Sequence, residues 1–364
     1  MTAVRPILER AAGGGRITAA EGLALLQSNA LMEVGAAADA ARQRRGAGDR
    51  IGYIIERNIN YTNVCITYCT FCAFYRAPGD TEGYVLPQET IHRKVEETVA
   101  LGGTGILLQG GHHPDLPLSF YEEMLAGIKQ RFAIHIHGFS PSELRHIAAV
   151  SGLPLPEVLR RLRRAGLDSV PGGGAEILVD DVRKRIAPLK ITADEWLGAM
   201  EEAHHQGLPA SATMMMGCGE APADRIEHLD RIRALQDRTG GFSAFIVWTF
   251  QPGNNPLGVK LGRREATAQE FLLTLAVARL YLDNVPHFQS SWLTQGLKMG
   301  QLALRFGADD MGSVMIEENV VSAAGSFHCT TASEMERVIR DAGFVPFQRD
   351  HRYRPVARPA GLAA

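Results

Sequence analysis

A repeating alternation of short apolar runs and longer amphipathic stretches begins at Ile51 and continues through most of the chain. This rhythm is typical of βα units, in which parallel strands are separated by helices. Eight units can be counted, and eight βα units that close on themselves form a (β/α)8 TIM-type barrel of the α/β class. The predicted strands span Asn58–Val64, Gly105–Gln109, Ile134–His137, Leu167–Val170, Ser211–Met215, Ala244–Val247, His287–Gln289 and Asp309–Gly312. The predicted helices between them span Gln88–Leu101, Ser119–Phe132, Leu155–Ala165, Ala193–His205, Arg225–Arg238, Ala266–Tyr281 and Trp292–Phe306.

Two extensions are expected to flank the barrel. Residues 1–50 predict an N-terminal helical cap with helices at Ala19–Gln27 and Leu31–Arg44, rich in alanine and leucine. The barrel is expected to occupy residues 51–318. Residues 319–364 predict a C-terminal extension packed on the barrel, with one helix at Ala332–Ala342.

Composition excludes several classes of protein. The chain has 364 residues, of which 45% are hydrophobic, so it can bury a large core. Its 38 Lys and Arg against 40 Asp and Glu give a formal net charge of -2, and no dense basic run indicates nucleic-acid binding. No uncharged apolar stretch reaches the roughly 18 residues that a membrane helix needs, and the start lacks the core of a signal peptide. We therefore expect a cytoplasmic protein with neither a membrane nor a nucleic-acid partner.

Three of the five cysteines are crowded into eight positions. Cys65, Cys69 and Cys72 form the pattern C-x3-C-x2-C, with Phe71 just before the third cysteine. Three thiolates can hold three irons of a [4Fe-4S] cluster and leave the fourth iron open for a ligand. A structural zinc site is the alternative, but it needs a fourth ligand from His112, His113 or a distant cysteine.

Unusual residues follow several predicted strands. Active sites of barrels lie at the C-terminal ends of the strands, where glycines let a ligand approach the backbone closely. We therefore expect a ligand-binding mouth at this rim. The rim residues include Gly110 and Gly111 after the second strand, Ser140 after the third, Glu176 after the fourth, Met216 and Glu220 after the fifth, and Trp248 and Phe250 after the sixth.

The cysteine pattern resembles the signature of radical S-adenosylmethionine enzymes. The resemblance implies that the open iron binds the amino and carboxylate groups of S-adenosylmethionine as cosubstrate. It also implies contacts of the cosubstrate with Gly110 and Gly111, although His112 stands where an acid is common in such barrels. The expected cofactor contacts are completed by Phe71, Ser140, Glu176 and Met216; Glu176 could instead be a helix N-cap partner.

The loop sequences together resemble one family within that superfamily, the dehypoxanthine futalosine cyclases of the futalosine route to menaquinone. His112 and Ser313 are small departures from the family pattern. The similarity runs from about residue 51 to 325, most of the chain. The matching stretches are residues 57–65, 72–76, 83–86, 108–116, 167–178, 245–252, 307–313 and 317–321.

This resemblance implies a reaction on a nucleoside-derived substrate. A 5′-deoxyadenosyl radical would abstract the C4′ hydrogen of dehypoxanthine futalosine, and the carbon radical would add to the benzoate ring to give a spirocycle. A reductant such as flavodoxin or ferredoxin is implied. Aminofutalosine synthase, a deazaflavin-forming synthase and a non-catalytic iron-sulfur or zinc protein remain alternatives.

Roles for individual side chains in that reaction are hypotheses. Tyr75, Trp248 and Phe250 are expected to flank the benzoate ring, and Arg76 or Arg305 to pair with its carboxylate. The candidates for the final proton acceptor are Glu220, Asp309 and His113.

Overall fold

The computed structural model describes residues 4–356. It begins with three helices, α1 (Val4–Ala12), α2 (Ala19–Leu26) and α3 (Leu31–Arg42), and a π-helical turn at Gln43–Ala47. Thr18 starts α2 with a capping box, because its side chain accepts a hydrogen bond from the Glu21 amide and the Glu21 side chain bonds back. Residues 1–3 of the predicted cap lie outside the described part.

Nine strands lie within the described residues, and every ladder between them is parallel. They are β1 (Arg50–Ile54), β2 (Glu56–Asn60), β3 (Gly105–Gln109), β4 (His135–Gly138), β5 (Ala210–Met216), β6 (Phe242–Thr249), β7 (His287–Gln289), β8 (Asp310–Ser313) and β9 (Val345–Gln348).

The strands form two parallel sheets. One has six strands in the order β5-β6-β7-β8-β1-β9, and the other has the order β2-β3-β4. Isolated bridges connect them, from His137 to Ser169 and from Val170 to Ala210. On the other side the amides of Val314 and Ile316 donate to the carbonyls of Ile54 and Glu56, at 3.0 and 3.2 Å. The fold is therefore a mixed α/β fold built on parallel strands.

The predicted strands differ from the observed ones at three places. The fourth, Leu167–Val170, makes only the isolated bridges at Ser169 and Val170. The first ends at Asn60, because the side chains of Thr62 and Asn63 donate to backbone carbonyls of the loop that follows. β1 and β9 were not predicted as strands.

Thirteen further helices lie within the described part of the chain, most of them between strands. They are α4 (Gln88–Ala100), α5 (Leu118–Arg131), α6 (Pro141–Ser151), α7 (Leu155–Ala165), α8 (Asp180–Ile186), α9 (Ala193–His205), α10 (Pro222–Thr239), α11 (Pro256–Lys260), α12 (Ala268–Tyr281), α13 (Trp292–Gln295), α14 (Leu297–Ala303), α15 (Val320–Ala323) and α16 (Ala332–Asp341). None is long and apolar enough to cross a membrane.

Local sequence explains where several helices begin and end. The amphipathic helix α7 buries Val158, Leu159 and Leu162, each of which stabilises the fold by about 2 kcal/mol through loss of apolar surface to water. The helix predicted over Trp292–Phe306 is interrupted at Gly296, whose φ of 80° is incompatible with a helix.

Both ends of the chain pack on this framework. Helix α3 lies along α12, and α2 lies between α10 and α12. The C-terminal strand β9 pairs with β1 from Arg50 opposite Val345 to Tyr53 opposite Gln348. Residues 357–364 of the predicted C-terminal extension lie outside the described part.

Candidate active site

The three clustered cysteines lie in the loop that follows β2. Cys65 and Cys69 are buried and Cys72 is partly buried. Backbone hydrogen bonds hold the loop: the Cys65 amide donates to the Arg76 carbonyl at 2.9 Å, and the Thr70 amide to the Ile186 carbonyl at 2.9 Å. The loop is therefore fastened to α8 as well as to its own ends.

The cysteines open onto a cavity of about 240 Å³ that we call the cluster cavity. Burial raises the pKa of Cys69 to about 11 and also raises the pKa of Cys72. The thiols therefore have to lose protons when they bind iron. Three thiols around an open cavity fit a [4Fe-4S] cluster with one iron free for a further ligand. Cys218 is buried against the Met215 carbonyl and Cys329 is exposed, and neither lines this cavity.

Gly110 and Gly111 lie in the wall of the cluster cavity where there is no room for a side chain. A Cβ on Gly110 would lie 2.5 Å from the ring of Tyr61, and one on Gly111 would lie 2.2 Å from the Val64 carbonyl oxygen. Both distances are too short for an alanine. The backbone at this strand end therefore needs glycine, and it borders the space beside the cysteines.

Glu143 is a buried acid in this wall that the sequence analysis missed. Its Oε1 accepts hydrogen bonds from the Gly110 amide and the Tyr61 hydroxyl, both at 2.9 Å. Its Oε2 accepts from the amide and hydroxyl of Ser140, at 2.8 and 2.7 Å. Burial raises the pKa of Glu143 in spite of these donors. The signal was the sequence Ser-Pro-Ser-Glu, a capping box at the start of α6 that had been interpreted only as a rim loop.

Lys190 and Glu176, which both line the cluster cavity, form a buried ion pair. Lys190 Nζ lies 2.6 Å from Glu176 Oε1, and Lys190 also lies 5.6 Å from the centre of the Phe71 ring. Burial alone would lower the pKa of Lys190, but the charges of Glu176 and Cys69 outweigh it and raise that pKa. Sequence reasoning missed Lys190, because nothing local connects it to the glycine loop that carries Glu176.

The predicted cofactor contacts separate into two groups. Phe71, Gly110, Gly111, Ser140 and Glu176 line the cluster cavity. Met216 does not: it is fully buried at the end of β5, and the Phe250 amide donates to its carbonyl at 2.8 Å.

The predicted substrate contacts also separate. Tyr75 lines the cluster cavity and packs edge-on against Tyr68, and Trp248 lines the same cavity. Phe250 is a buried core residue and lines neither this cavity nor the deeper one described below.

Arg76 and Arg305, which were proposed to pair with the benzoate carboxylate, do not line the cluster cavity. Arg76 Nε donates to Glu82 at 2.6 Å, and its guanidinium is further held by backbone carbonyls of its own loop. Arg305 donates to the Ala342 carbonyl.

None of the three proposed proton acceptors lines the cluster cavity. Glu220 accepts from the amides of Gly217 and Cys218 and pairs with Arg225, so its carboxylate is engaged away from the cavity. Asp309 is bound to His287 beside β7, at the entrance of β8 rather than at its C-terminal end. His113 Nδ1 accepts from the Asp115 amide.

The neighbouring His112, not His113, lines the cluster cavity. It is buried and its ring stacks on His146 at 4.9 Å. Burial lowers the pKa of His112 well below its ordinary value, so it is neutral near pH 7.

A second cavity of about 320 Å³ lies deeper among the strands, and we call it the deep cavity. It shares Gln109, Gly173, Trp248 and Val320 with the lining of the cluster cavity. Its walls include Leu107 and other apolar side chains. The two cavities are therefore neighbours that meet at a wall containing Trp248.

Comparisons with known proteins agree with this geometry. A family model described as the radical SAM superfamily matches residues 59–232, and one described as the CofH/MqnC C-terminal region matches residues 239–362. Cyclic dehypoxanthine futalosine synthase of Streptomyces coelicolor is 53% identical over 96% of this chain and 88% of its own. The protein of that name from Halalkalibacterium halodurans is 47% identical over 95% of this chain and 93% of its own. The crystal structure of methylornithine synthase (PylB) matches 93% of this chain and 97% of its own with a TM-score of 0.73 at 18% identity, a likeness of fold.

Proposed function

The chain belongs to the radical S-adenosylmethionine superfamily and, within it, to the family of the cyclic dehypoxanthine futalosine synthases; we propose that it converts dehypoxanthine futalosine to the cyclic product on the route to menaquinone. The observation that carries this proposal is the pair of adjoining cavities: one is lined by the three cysteines, and the other has room for a second small molecule beyond Trp248. The 53% identity over nearly the whole chain selects the substrate.

In this proposal the cysteines and the cluster cavity bind the two cofactors. Cys65, Cys69 and Cys72 would hold the [4Fe-4S] cluster, and Gly110, Gly111 and Glu143 would border S-adenosylmethionine. When the cluster is bound and reduced, the cluster and S-adenosylmethionine together would supply a 5′-deoxyadenosyl radical.

The rest of the site orients the substrate. Spirocyclisation requires the ribose C4′ to be near the radical source and, at the same time, near the aromatic carbon that it joins. Trp248, at the wall that the two cavities share, is placed to pack against the aromatic ring. The C4′ hydrogen would leave as part of 5′-deoxyadenosine, and after ring attack one electron would pass to a one-electron carrier and one proton to a base. The product would therefore be lighter than the substrate by two hydrogen atoms.

We further propose that the two sheets close into one (β/α)8 barrel, with β1 and β2 as halves of one bent strand. The bridges at Ser169 and Val170 support closure on one side. The bonds from Val314 and Ile316 to the β1–β2 segment support it on the other. In this arrangement residues 1–50 and 319–364 flank the barrel.

The cellular setting is part of the proposal. Cluster reduction needs a low-potential one-electron donor, so we propose flavodoxin or ferredoxin as the partner and the reducing cytoplasm as the compartment.

The proposal is tested by anaerobic reconstitution of the cluster, reduction with dithionite, and incubation with S-adenosylmethionine and dehypoxanthine futalosine. Mass spectrometry should find the product lighter by two hydrogen atoms and free 5′-deoxyadenosine in similar amount. An adduct that contains the adenosyl group would instead indicate an aminofutalosine synthase type of reaction. Deoxyadenosine without any change in the substrate would leave the radical chemistry standing and reject the substrate.

A further inference from the structure

One wall of the deep cavity is formed by the C-terminal segment of the described chain. Arg349, His351 and Tyr353 follow β9 and line this cavity together with residues of β2 and β4. None of the proposed functional residues lies in this segment.

The segment is fastened firmly in place. Arg349 is buried, and its guanidinium makes a two-point contact with Asp310, at 2.5 and 2.8 Å. The ring of Tyr353 stacks on His287 at 3.7 Å and its hydroxyl accepts from Gln289. The C-terminal segment is therefore held in place by β7 and β8.

Gly105 on β3 leaves room for the His351 ring. A Cβ on Gly105 would lie 2.1 Å from His351 Nε2. In the absence of that Cβ, the His351 ring stacks on His135 with centres 4.3 Å apart and planes 6° apart. Its Nε2 also lies 3.2 Å from Glu56 Oε2. The strand is thus shaped to receive this imidazole.

Hydrogen bonds connect four polar residues that lie beside the His351 ring. The Ser169 hydroxyl lies 2.7 Å from both His135 Nε2 and His137 Nδ1. The His137 Nε2 lies 3.4 Å from the Ser211 hydroxyl. Glu56, His137, Ser169, Ser211 and His351 all line the deep cavity. We call these five residues the polar floor.

The charge of this floor is unsuited to an anion. Burial lowers the pKa of His137 and lowers the pKa of His135 to about 3, so both rings are neutral near pH 7. Burial raises the pKa of Glu56, but His351 and Arg349 outweigh it and the net pKa is below its ordinary value, so Glu56 is ionised. Arg349, the only Lys or Arg among the described residues lining this cavity, is already neutralised by Asp310.

We propose that the polar floor binds the sugar hydroxyl groups of the substrate, with His351 and Glu56 as specificity-determining residues. Hydroxyl groups both donate and accept, so they match a carboxylate, two serines and the neutral imidazole of His137, whereas a benzoate carboxylate would face Glu56. This orientation directs the aromatic end toward Trp248. It rests on the proposed function and deepens it.

The test compares the wild type with His351→Phe, which keeps a stacking ring but removes the ring nitrogens, including the Nε2 that lies beside Glu56. Binding of dehypoxanthine futalosine to the anaerobic, cluster-loaded protein is measured by calorimetry, alongside an analogue lacking one sugar hydroxyl and another lacking the carboxylate. We expect His351→Phe to weaken binding of the parent substrate about tenfold, which is typical of lost hydrogen bonds. Deleting the contacted hydroxyl should weaken binding to the wild type similarly but change binding to His351→Phe little. Deleting the carboxylate should have the same effect in both proteins.

Two additions keep the test decisive. Ser169→Ala removes a smaller group and should reproduce the loss of binding if His351→Phe folds poorly. His205→Phe makes the same substitution at an exposed position of α9 and should leave binding unchanged. A merely structural role would lower stability alone, whereas a role in positioning should also raise the deoxyadenosine released per product formed.

Several outcomes would overturn the inference. Unchanged binding in both floor variants would reject it, and so would a carboxylate effect that disappears in His351→Phe, because the floor would then hold the benzoate end. The proposed function fails separately, if the wild type binds the substrate but never converts it.

Discussion

The cluster cavity and the deep cavity differ in how the chain builds them. Most of the cluster cavity comes from loops at the ends of β2, β3 and β4, and its charges are matched by immediate neighbours, as in Lys190 with Glu176. The deep cavity instead joins β2 to His351, about 300 positions further along the chain, and burial lowers the pKa of His137 in its lining. The first region is organised to hold a charged cofactor, and the second to recognise an uncharged polar surface.

The largest expected effect is on the cluster cavity. Cys72→Ala should abolish cyclic product, because two thiolates cannot hold the cluster that generates the radical. Iron content, the visible absorption of the reconstituted protein and product formation provide the measurement.

Cys329→Ala is the matched control, because Cys329 is exposed and lies outside both cavities. It should retain the iron and the activity. Full activity in Cys72→Ala would contradict the assignment of the cluster.

The buried pair tests whether charge in the cluster cavity is locally balanced. Lys190→Met leaves Glu176 buried without its partner and should lower the free energy of unfolding of the cluster-free protein by about 3 kcal/mol. Denaturant unfolding measures this. Lys190→Met combined with Glu176→Gln should recover part of the loss.

Arg337→Met, which breaks exposed pairs on α16, should cost much less stability than Lys190→Met and serves as the comparison. An equal loss in Lys190→Met and Arg337→Met would show that the buried pair is unimportant.

A third change acts on the deep cavity only. Gly105→Ala places a methyl group against His351 and should destabilise the fold by about 2 kcal/mol and raise KM more than it lowers kcat. Gly198→Ala is the control, because its Cβ meets nothing within 4 Å and α9 favours alanine. A KM that stays unchanged in Gly105→Ala would separate His351 from substrate binding.

The smallest expected effect concerns pH. The folded pKa of His135, about 3, is below its ordinary value, so the unfolded chain binds more protons between about pH 3 and 6.5. The free energy of unfolding should therefore fall as the pH falls through that window, and His135→Gln should remove about 1 kcal/mol of this dependence between pH 6.5 and 5.

The measurement is denaturant unfolding of the cluster-free protein at several pH values. His205→Gln, at an exposed histidine, should leave the slope as in the wild type. Identical slopes in all three proteins would mean that His135 is not held neutral by the floor.

The residues that could be predicted from the sequence belong mainly to the cluster cavity, and those that could not belong mainly to the deep cavity. The cysteine loop and the glycines after β3 are contiguous motifs whose chemistry is independent of distant residues. The sequence therefore predicted Cys65, Cys69, Cys72, Gly110 and Gly111 as site residues, and all five line the cluster cavity. Helix bounds with strong amphipathic patterns, such as Leu155–Ala165, agree with the structure.

The rest depended on long-range packing. Glu220 resembled a free rim acid, but Arg225 and two amides engage it, and no local pattern reveals that. His351 was missed because it stands in a Pro/Arg-rich tail, and only the parallel pairing of β9 with β1 brings it beneath the deep cavity. Asp309 was proposed as a proton acceptor, but it is paired with His287 just before β8, and no local pattern reveals that pairing.

The pairing of β9 with β1 also has a consequence for biosynthesis. Arg50 is synthesised long before Val345, its partner in the sheet. Until then Asp310 lacks Arg349, its buried counter-ion, and the hollow beside Gly105 lacks its histidine. A nascent chain can therefore synthesise its whole cysteine loop long before the residues that close the deep cavity exist, so synthesis of β9 and of the segment after it is the step that completes the substrate chamber.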